Sequence, residues 1–205
     1  MIGKIEIDTI KSRVDQAVGK RDLLTRQLES VQLDITNLEK YVEDCQKARA
    51  VVTAVAEDTQ KKIEFQISNI VSLALSSVFP DPYEFKLQFV TRRNKIEADL
   101  IFIKNGNEGK PTEIAGGGSL DVASFALKTA IWAIKPTNNV MILDEPFHFL
   151  SRNLQSKCSE MIKMINRKMG LQFIIVSHII EIAESADKIF NVTNKNGIAT
   201  VESSK

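Results

Sequence analysis

Two strings in this chain end apolar runs with groups able to handle protons and phosphates. Asn139-Val140-Met141-Ile142-Leu143-Asp144-Glu145-Pro146 closes on an acidic pair, and Phe173-Ile174-Ile175-Val176-Ser177-His178 closes on a histidine. Short apolar runs of this kind read as buried strands. Asp144, Glu145 and His178 then fall at the carboxyl ends of two strands, the edge at which open α/β sheets take their ligands. The three are expected to line one crevice. A carboxylate that holds a metal, a base for water and a cationic or donor group together suit phosphoryl transfer. A third string, Ala115-Gly116-Gly117-Gly118-Ser119, stands just before a helical pattern that begins at Leu120. Glycines bare their backbone amides, and a helix start adds partial positive charge, so this string is an anion site in waiting. Each string alone has a structural reading, as a flexible loop, a helix-start pair or a packing histidine. Their joint order carries the argument.

The elements that must position these groups alternate. A helix from Leu120 to Ile134 is broken by Lys135-Pro136-Thr137-Asn138, and Val140 to Leu143 is a short strand. A second helix, Asn153 to Lys168, carries Leu154, Cys158, Met161, Ile162 and Ile165 on one face, with Gly170 as its cap. Phe173 to Val176 is the next strand and Ile179 to Ser185 the next helix. A closing pair, Lys188 to Thr193 and Ile198 to Glu202, turns through Asn194-Lys195-Asn196-Gly197. Alternation of this sort predicts an α/β fold, a parallel sheet with covering helices. Upstream, Phe79-Pro80-Asp81-Pro82 must end a helix. Phe85 to Thr91 and Lys95 to Ile103 then form a β-hairpin through the polar turn Arg92-Arg93-Asn94-Lys95.

From Asp8 to Val78 there is no proline, and Gly19 is the only glycine. A heptad frame places Ile10, Ala17, Leu24, Val31, Leu38, Cys45, Val52 and Thr59 at a, and Val14, Arg21, Leu28, Ile35, Val42, Arg49, Ala56 and Ile63 at d. Apart from Arg21, Arg49 and Thr59, every seam position is apolar. A stripe with 4-3 spacing needs a facing helix along its length. Residues 1–78 are therefore expected to be a coiled-coil arm, on the order of 100 Å long at about 1.5 Å per residue. The arm either pairs with another chain or folds back around Glu43 to Thr59; a helical hairpin packed on the domain is the plainer alternative. Residues 79–205 form the other domain.

Composition excludes several classes. The 205 residues carry 27 basic and 26 acidic side chains, so no global field marks the chain for nucleic acid or membrane. Two cysteines, Cys45 and Cys158, without metal-type spacing fit a reducing, cytoplasmic setting. No apolar signal core and no run of roughly 18 apolar residues is present, which predicts a soluble protein with no membrane partner. Arg92-Arg93-Asn94-Lys95 and Lys163, Arg167 and Lys168 are small basic clusters, candidates for phosphate contacts whose binding would be salt-dependent.

Taken together, the motifs resemble the C-terminal lobe of ABC-type ATPases, and within them the SMC-like chromosome and DNA-repair group. Gly116-Gly117-Gly118-Ser119 with Asp121 to Leu127 is similar to that family's signature motif and its helix. Met141 to Pro146 is similar to its Walker B strand, Phe147 to Ser151 takes the D-loop position, and Gln172 to His178 is similar to the switch-histidine strand. The resemblance spans residues 79 to 193, with the arm added by analogy. It implies a partial ABC-type head with ATP and Mg2+ as cofactors. Asp144 would be the metal ligand, Glu145 would polarise the attacking water, and His178 would contact the terminal phosphate. Gly116, Gly117, Gly118 and Ser119 would bind a nucleotide held by a second head, with ATP joining the two. Partners implied are a second copy or a subunit bearing a phosphate loop, with DNA and a nuclease subunit beyond them.

Three departures stand out. Gly116 holds the place where the family's signature has a serine, Ser151 stands where its D-loop has aspartate, and no Gly-x4-Gly-Lys-Ser/Thr occurs. The nearest string, Gly106-Asn107-Glu108-Gly109-Lys110-Pro111-Thr112, has two residues between its glycines and a proline where donors should cradle phosphate, and it reads as a loop. Three functions are compatible with this. The chain is half of a DNA repair or recombination ATPase completed by another polypeptide, or a non-catalytic dimerising module that regulates or mimics a partner ATPase. In the third, it is the C-terminal portion of a longer enzyme. Met1 weighs slightly against the last.

Overall fold

The computed structural model describes residues 2–195 and 197–204, with side chains from residue 7 onward apart from Lys195. The first helix, α1, runs unbroken from Ile2 to Val78. It contributes to two units, one ending at Asp58 and one beginning at Thr59. In the first unit Ile10, Val14, Leu24, Leu28, Val31, Ile35, Leu38 and Val42 are all exposed. Of the alternatives left open for the arm, a fold-back around Glu43 to Thr59 and a helical hairpin are both ruled out by the continuity of α1. Nothing between Gly19 and Pro80 interrupts the backbone hydrogen bonds of a helix. No helix among the described residues is long and apolar enough to cross a membrane.

In the second unit the final turns of α1 are amphipathic. Ile67, Val71, Ala74, Leu75 and Val78 are buried, at the spacing of one helical face. They join a core with Phe85, Leu87 and Phe102 from an antiparallel sheet of β1 (Glu84–Arg92), β2 (Lys95–Lys104) and β3 (Asn107–Gly109). The free edge of β1 is capped by helix side chains. Phe85 N donates to Ser72 Oγ at 2.8 Å, Leu87 N to Ser68 Oγ at 2.9 Å, and Phe89 N to Glu64. Alternate strand amides are spaced about as far apart as residues four apart on a helix, so one helix stands in for a strand at this edge.

Both turns of this sheet use positive φ. Arg93 and Asn94 sit at φ 50° and 60°, and Asn105 and Gly106 at 52° and 79°. These are the angles a two-residue hairpin turn of the primed kind demands. The string Gly106 to Thr112 is accordingly more ordered than the expected loop: a turn, β3, and a short helix α2 (Pro111–Ile114). A Cβ on Gly109 would lie 2.8 Å from Ile114 Cγ2, so that glycine serves close packing and not a phosphate.

The remainder follows the expected alternation. Helix α3 (Gly117–Ile134) leads to β4 (Val140–Asp144), α4 (Arg152–Met169), β5 (Gln172–Val176) and α5 (Ile180–Glu184). Strands β4 and β5 are parallel, in register from Val140 opposite Gln172 to Asp144 opposite Val176. Beneath them lie Phe125 of α3, Phe147 and Phe173, with ring centroids 5.2 and 5.3 Å from Phe125. Helix α4 buries Cys158, Met161, Ile162 and Ile165, and Gly170 ends it in the left-handed conformation at φ 63°. Burial pushes the Cys158 thiol up to about 12, which leaves it inert. Among the described residues the parallel sheet has these two strands. The closing pair β6 (Phe190–Lys195) and β7 (Ile198–Ser203) forms its own antiparallel hairpin, and Asn196 of its turn lies outside the described residues.

The edge cap gives a direct test. Ser68→Ala leaves the Leu87 amide unsatisfied and should cost about 1–3 kcal/mol, read as a lower melting midpoint. Ser76→Ala, on the exposed side of α1, should leave the midpoint within about 0.5 kcal/mol of the parent.

Candidate functional site

The parallel register decides which groups meet. Asp144 is the last residue of β4, opposite Val176 of β5, and one residue later Glu145 N donates to Val176 O at 2.9 Å. The backbone turns out of the sheet at Glu145, whose φ is +43°. A left-handed, non-glycine residue at a strand end is a strained conformation, held only because its surroundings require it. Two residues past β5, His178 Nδ1 lies 3.0 Å from both carboxylate oxygens of Glu145, and the contact to Oε1 has hydrogen-bond geometry. Oε2 is shielded from solvent and has no hydrogen-bond partner. The hydrogen bond from His178 holds the Glu145 carboxyl below its usual range, partly opposed by desolvation. Asp144, Glu145 and His178 are thus brought to one sheet edge.

The glycine run behaves differently from the expected loop. Helix α3 begins at Gly117, three residues early, with Gly116 as an N-cap in extended conformation and no side chain capping the start. A Cβ on Gly117 would lie 2.7 Å from Phe149 Cβ, and one on Gly118 would lie 3.1 Å from Phe149 O and 3.4 Å from Leu150 Cα. These two glycines let the start of α3 touch the backbone of the segment between β4 and α4. Asp121 fastens the same contact, its Oδ2 accepting from Phe149 N at 2.7 Å. Burial raises the Asp121 carboxyl above its usual range, and this hydrogen bond works against that. Ser119 is half-buried in the first turn and Gly116 is exposed.

Asp121 and His148 lie in the strings that resemble the signature helix and the D-loop, but the sequence reading gave neither a role of its own. Nothing in their local pattern distinguishes them, since their roles depend on a contact across many residues. His148 sits with its ring 5.7 Å from that of His178. In the first basic cluster Arg92 is committed to ion pairs. Arg92 pairs with both oxygens of Asp99, at 2.8 and 2.6 Å, and with Glu97 at 3.2 Å. Lys163, Arg167 and Lys168 share a shallow hollow with Glu160 and Met164.

The outer face of the parallel pair is bare. Ile142 is 72% exposed, Val176 57%, Ile174 47% and Val140 43%. Met141, Leu143, Phe173 and Ile175, on the other face, pack into the core. Asp144 shares the bare face with Ile142.

No family model matches the chain. In sequence it is similar to the DNA double-strand break repair Rad50 ATPase of Archaeoglobus fulgidus, 27% identical over 157 residues that make up 76% of the chain. A Rad50 ATPase from Thermococcus kodakarensis is 27% identical over 130 residues. The spermidine/putrescine import ATP-binding protein PotA of Mesomycoplasma hyopneumoniae strain 232 is also 27% identical, over 186 residues. The matched region spans 17% and 14% of the two Rad50 proteins and 39% of PotA. Among solved structures, the Smc head domain of Pyrococcus yayanosii with its coiled coil and joint superposes with a TM-score of 0.57 at 20% identity, covering 96% of this chain and 35% of that one. The Pyrococcus furiosus Smc head with an extended coiled coil, bound to the C-terminal domain of ScpA, gives 0.57 at 18% identity, covering 94% and 50%. The fold is that of part of an Smc head domain with its coiled-coil helix.

Two measurements test this geometry. The Glu145 carboxyl, followed by carbon-detected NMR, should titrate below the ordinary glutamate range and return toward that range in His178→Ala. Because its folded value is depressed, the pair adds stability above the ordinary carboxylate range, and that stability is lost as pH falls through the depressed midpoint. Gly117→Ala should lower the melting midpoint, since displacing Phe149 costs about 1–3 kcal/mol, more than the roughly 1 kcal/mol that alanine returns in a helix. Gly116→Ala meets open space and is the control.

Proposed function

We propose that this chain supplies the signature and Walker B half of an SMC-like ATPase head. The phosphate-binding loop would come from another polypeptide. The observation that carries this reading is the bare face of β4 and β5. Parallel sheets are covered on both faces, and apolar side chains at Val140, Ile142, Ile174 and Val176 would each return up to about 1.5–3 kcal/mol on burial. Asp144 stands on that same face at the ligand-binding edge, so whatever covers the strands also meets the acidic pair.

The residues fit one part of a nucleotide site. Asp144 offers a hard carboxylate oxygen suited to Mg2+, which when bound would neutralise phosphate charge. Glu145, kept ionised by His178, orients water and accepts its proton. His178, in contact with that carboxylate, would donate to the terminal phosphate. The uncapped start of α3 at Gly116, Gly117, Gly118 and Ser119 offers amides to a nucleotide held by a second head. No Gly-x4-Gly-Lys-Ser/Thr occurs in the 205 residues, and the string Gly106 to Thr112 is a hairpin turn, a strand and a short helix.

The exposed seam from Ile10 to Val42 calls for a facing helix, from a second copy or from the subunit that brings the phosphate loop. The Rad50 relatives are named for double-strand break repair, and we take DNA as the polymer on which the assembled head acts.

The test is reconstitution. The chain is mixed with a polypeptide carrying the phosphate loop, and ATP turnover is measured with and without DNA. Glu145→Gln should lower turnover by about 100-fold or more. Ile142→Asp should abolish assembly while leaving the circular dichroism spectrum unchanged. Assembly that proceeds without turnover, indifferent to Glu145→Gln, would support the non-catalytic module instead.

A further inference from the structure

Next to the acidic pair lies a cluster with different chemistry. Glu145, His148 and His178 each present a ligand atom, and the three atoms lie within 4.8 Å of one another. His148 and His178 are exposed at the surface, while Glu145 is partly buried, with Oε2 shielded and hydrogen-bonded to nothing. Two imidazoles and a carboxylate are a poor set for Mg2+, which prefers oxygen, and a good one for a borderline transition cation. Zn2+ takes two histidines and a glutamate with a water in fourth place. Adjacent donors in such a shell stand about 3.3 Å apart, given metal–donor distances of about 2.0 Å. Surface histidines can close that gap by rotation, because neither is locked in the core.

We propose that Glu145, His148 and His178 form a binding site for a divalent transition cation of the Zn2+ class, separate from any Mg2+ at Asp144. His148 is the residue that makes the site, since Glu145 and His178 alone are a hydrogen-bonded pair. The site needs no nucleotide and no partner chain. Its consequence rests on the function proposed above: a cation held here occupies the carboxylate meant for water and the histidine meant for phosphate, and so arrests turnover.

The experiment uses the full chain carrying Cys45→Ser, which removes the one exposed thiol that would compete for the cation. Zn2+ is titrated by calorimetry without nucleotide, in excess Mg2+. Co2+ serves as an optical probe of coordination. One equivalent should bind, with the visible bands of four- or five-coordinate Co2+. His148→Ala and His178→Ala should each weaken binding at least about ten-fold. Circular dichroism confirms that each variant is folded. No stoichiometric binding at micromolar Zn2+, or binding unchanged by His148→Ala, overturns the site. A site that binds while reconstituted turnover is unaffected by Zn2+ leaves the metal site standing and removes only the arrest.

Discussion

The parallel pairing of β4 with β5 is the constraint from which the candidate site follows. Parallel strands run the same way, so their carboxyl ends lie side by side, and the register that sets Asp144 opposite Val176 fixes what each chain does next. Glu145 leaves β4 at the level of Val176, and its amide is claimed by that residue's carbonyl. His178 leaves β5 two residues later, within reach of the Glu145 carboxylate. A slip of one residue would send Asp144 to the opposite face and part Glu145 from His178, since side chains alternate with a period of two. The buried run Met141, Leu143, Phe173 and Ile175 against Phe125 prevents such a slip, because it would bring Ile142 and Ile174 into a space already filled.

A second coupling ties the glycine run to this edge. Gly117 and Gly118 have no side chain where Phe149 and Leu150 approach, and Asp121 accepts the Phe149 amide. The start of α3 is therefore fastened to the segment that follows Glu145 by only a few residues. A displacement of Phe149 would be felt at both ends: at the α3 amides and at the turn that holds Glu145 in its strained conformation. The Glu145 φ of +43° and the hydrogen bond from Phe149 N to Asp121 both show this stretch held by its neighbours and not by its own preference.

Much of this was legible because it is local. Gly170 as a cap, the face of α4, the hairpin turning at Arg93-Asn94 and the acidic pair ending an apolar run are each written within a few residues. Helix α3 starting at Gly117 instead of Leu120 shows where local reading falters: glycine argues against a helix, but the close approach of Phe149 admits nothing larger. The edge cap by Glu64, Ser68 and Ser72 was invisible for another reason. Serines at spacing four on a helix mean nothing until a strand edge is laid beside them. Likewise His148 gains meaning only when β5 delivers His178 to the same place. The stretch Gly106 to Thr112 read as a loop because its glycines look like breaks, whereas one serves a tight turn and the other a contact with Ile114.

The two strands of the parallel pair are few for the sheet of an α/β head, and the bare face explains what that means physically. An antiparallel sheet tolerates water on one side by alternating polar and apolar residues. Here the outward positions Val140, Ile142, Ile174 and Val176 are as apolar as the inward ones, the composition of strands made to be covered twice. The polar residues on that face stand at its two ends, Gln172 opposite Val140 and Asp144 at the end where a ligand would enter. A surface meant for solvent would place its charges along the strands, and this one places its single charge at the edge. The same strands that hold Glu145 and His178 in contact thus leave an apolar face whose burial would be favourable, with Asp144 at the edge where open α/β sheets take their ligands.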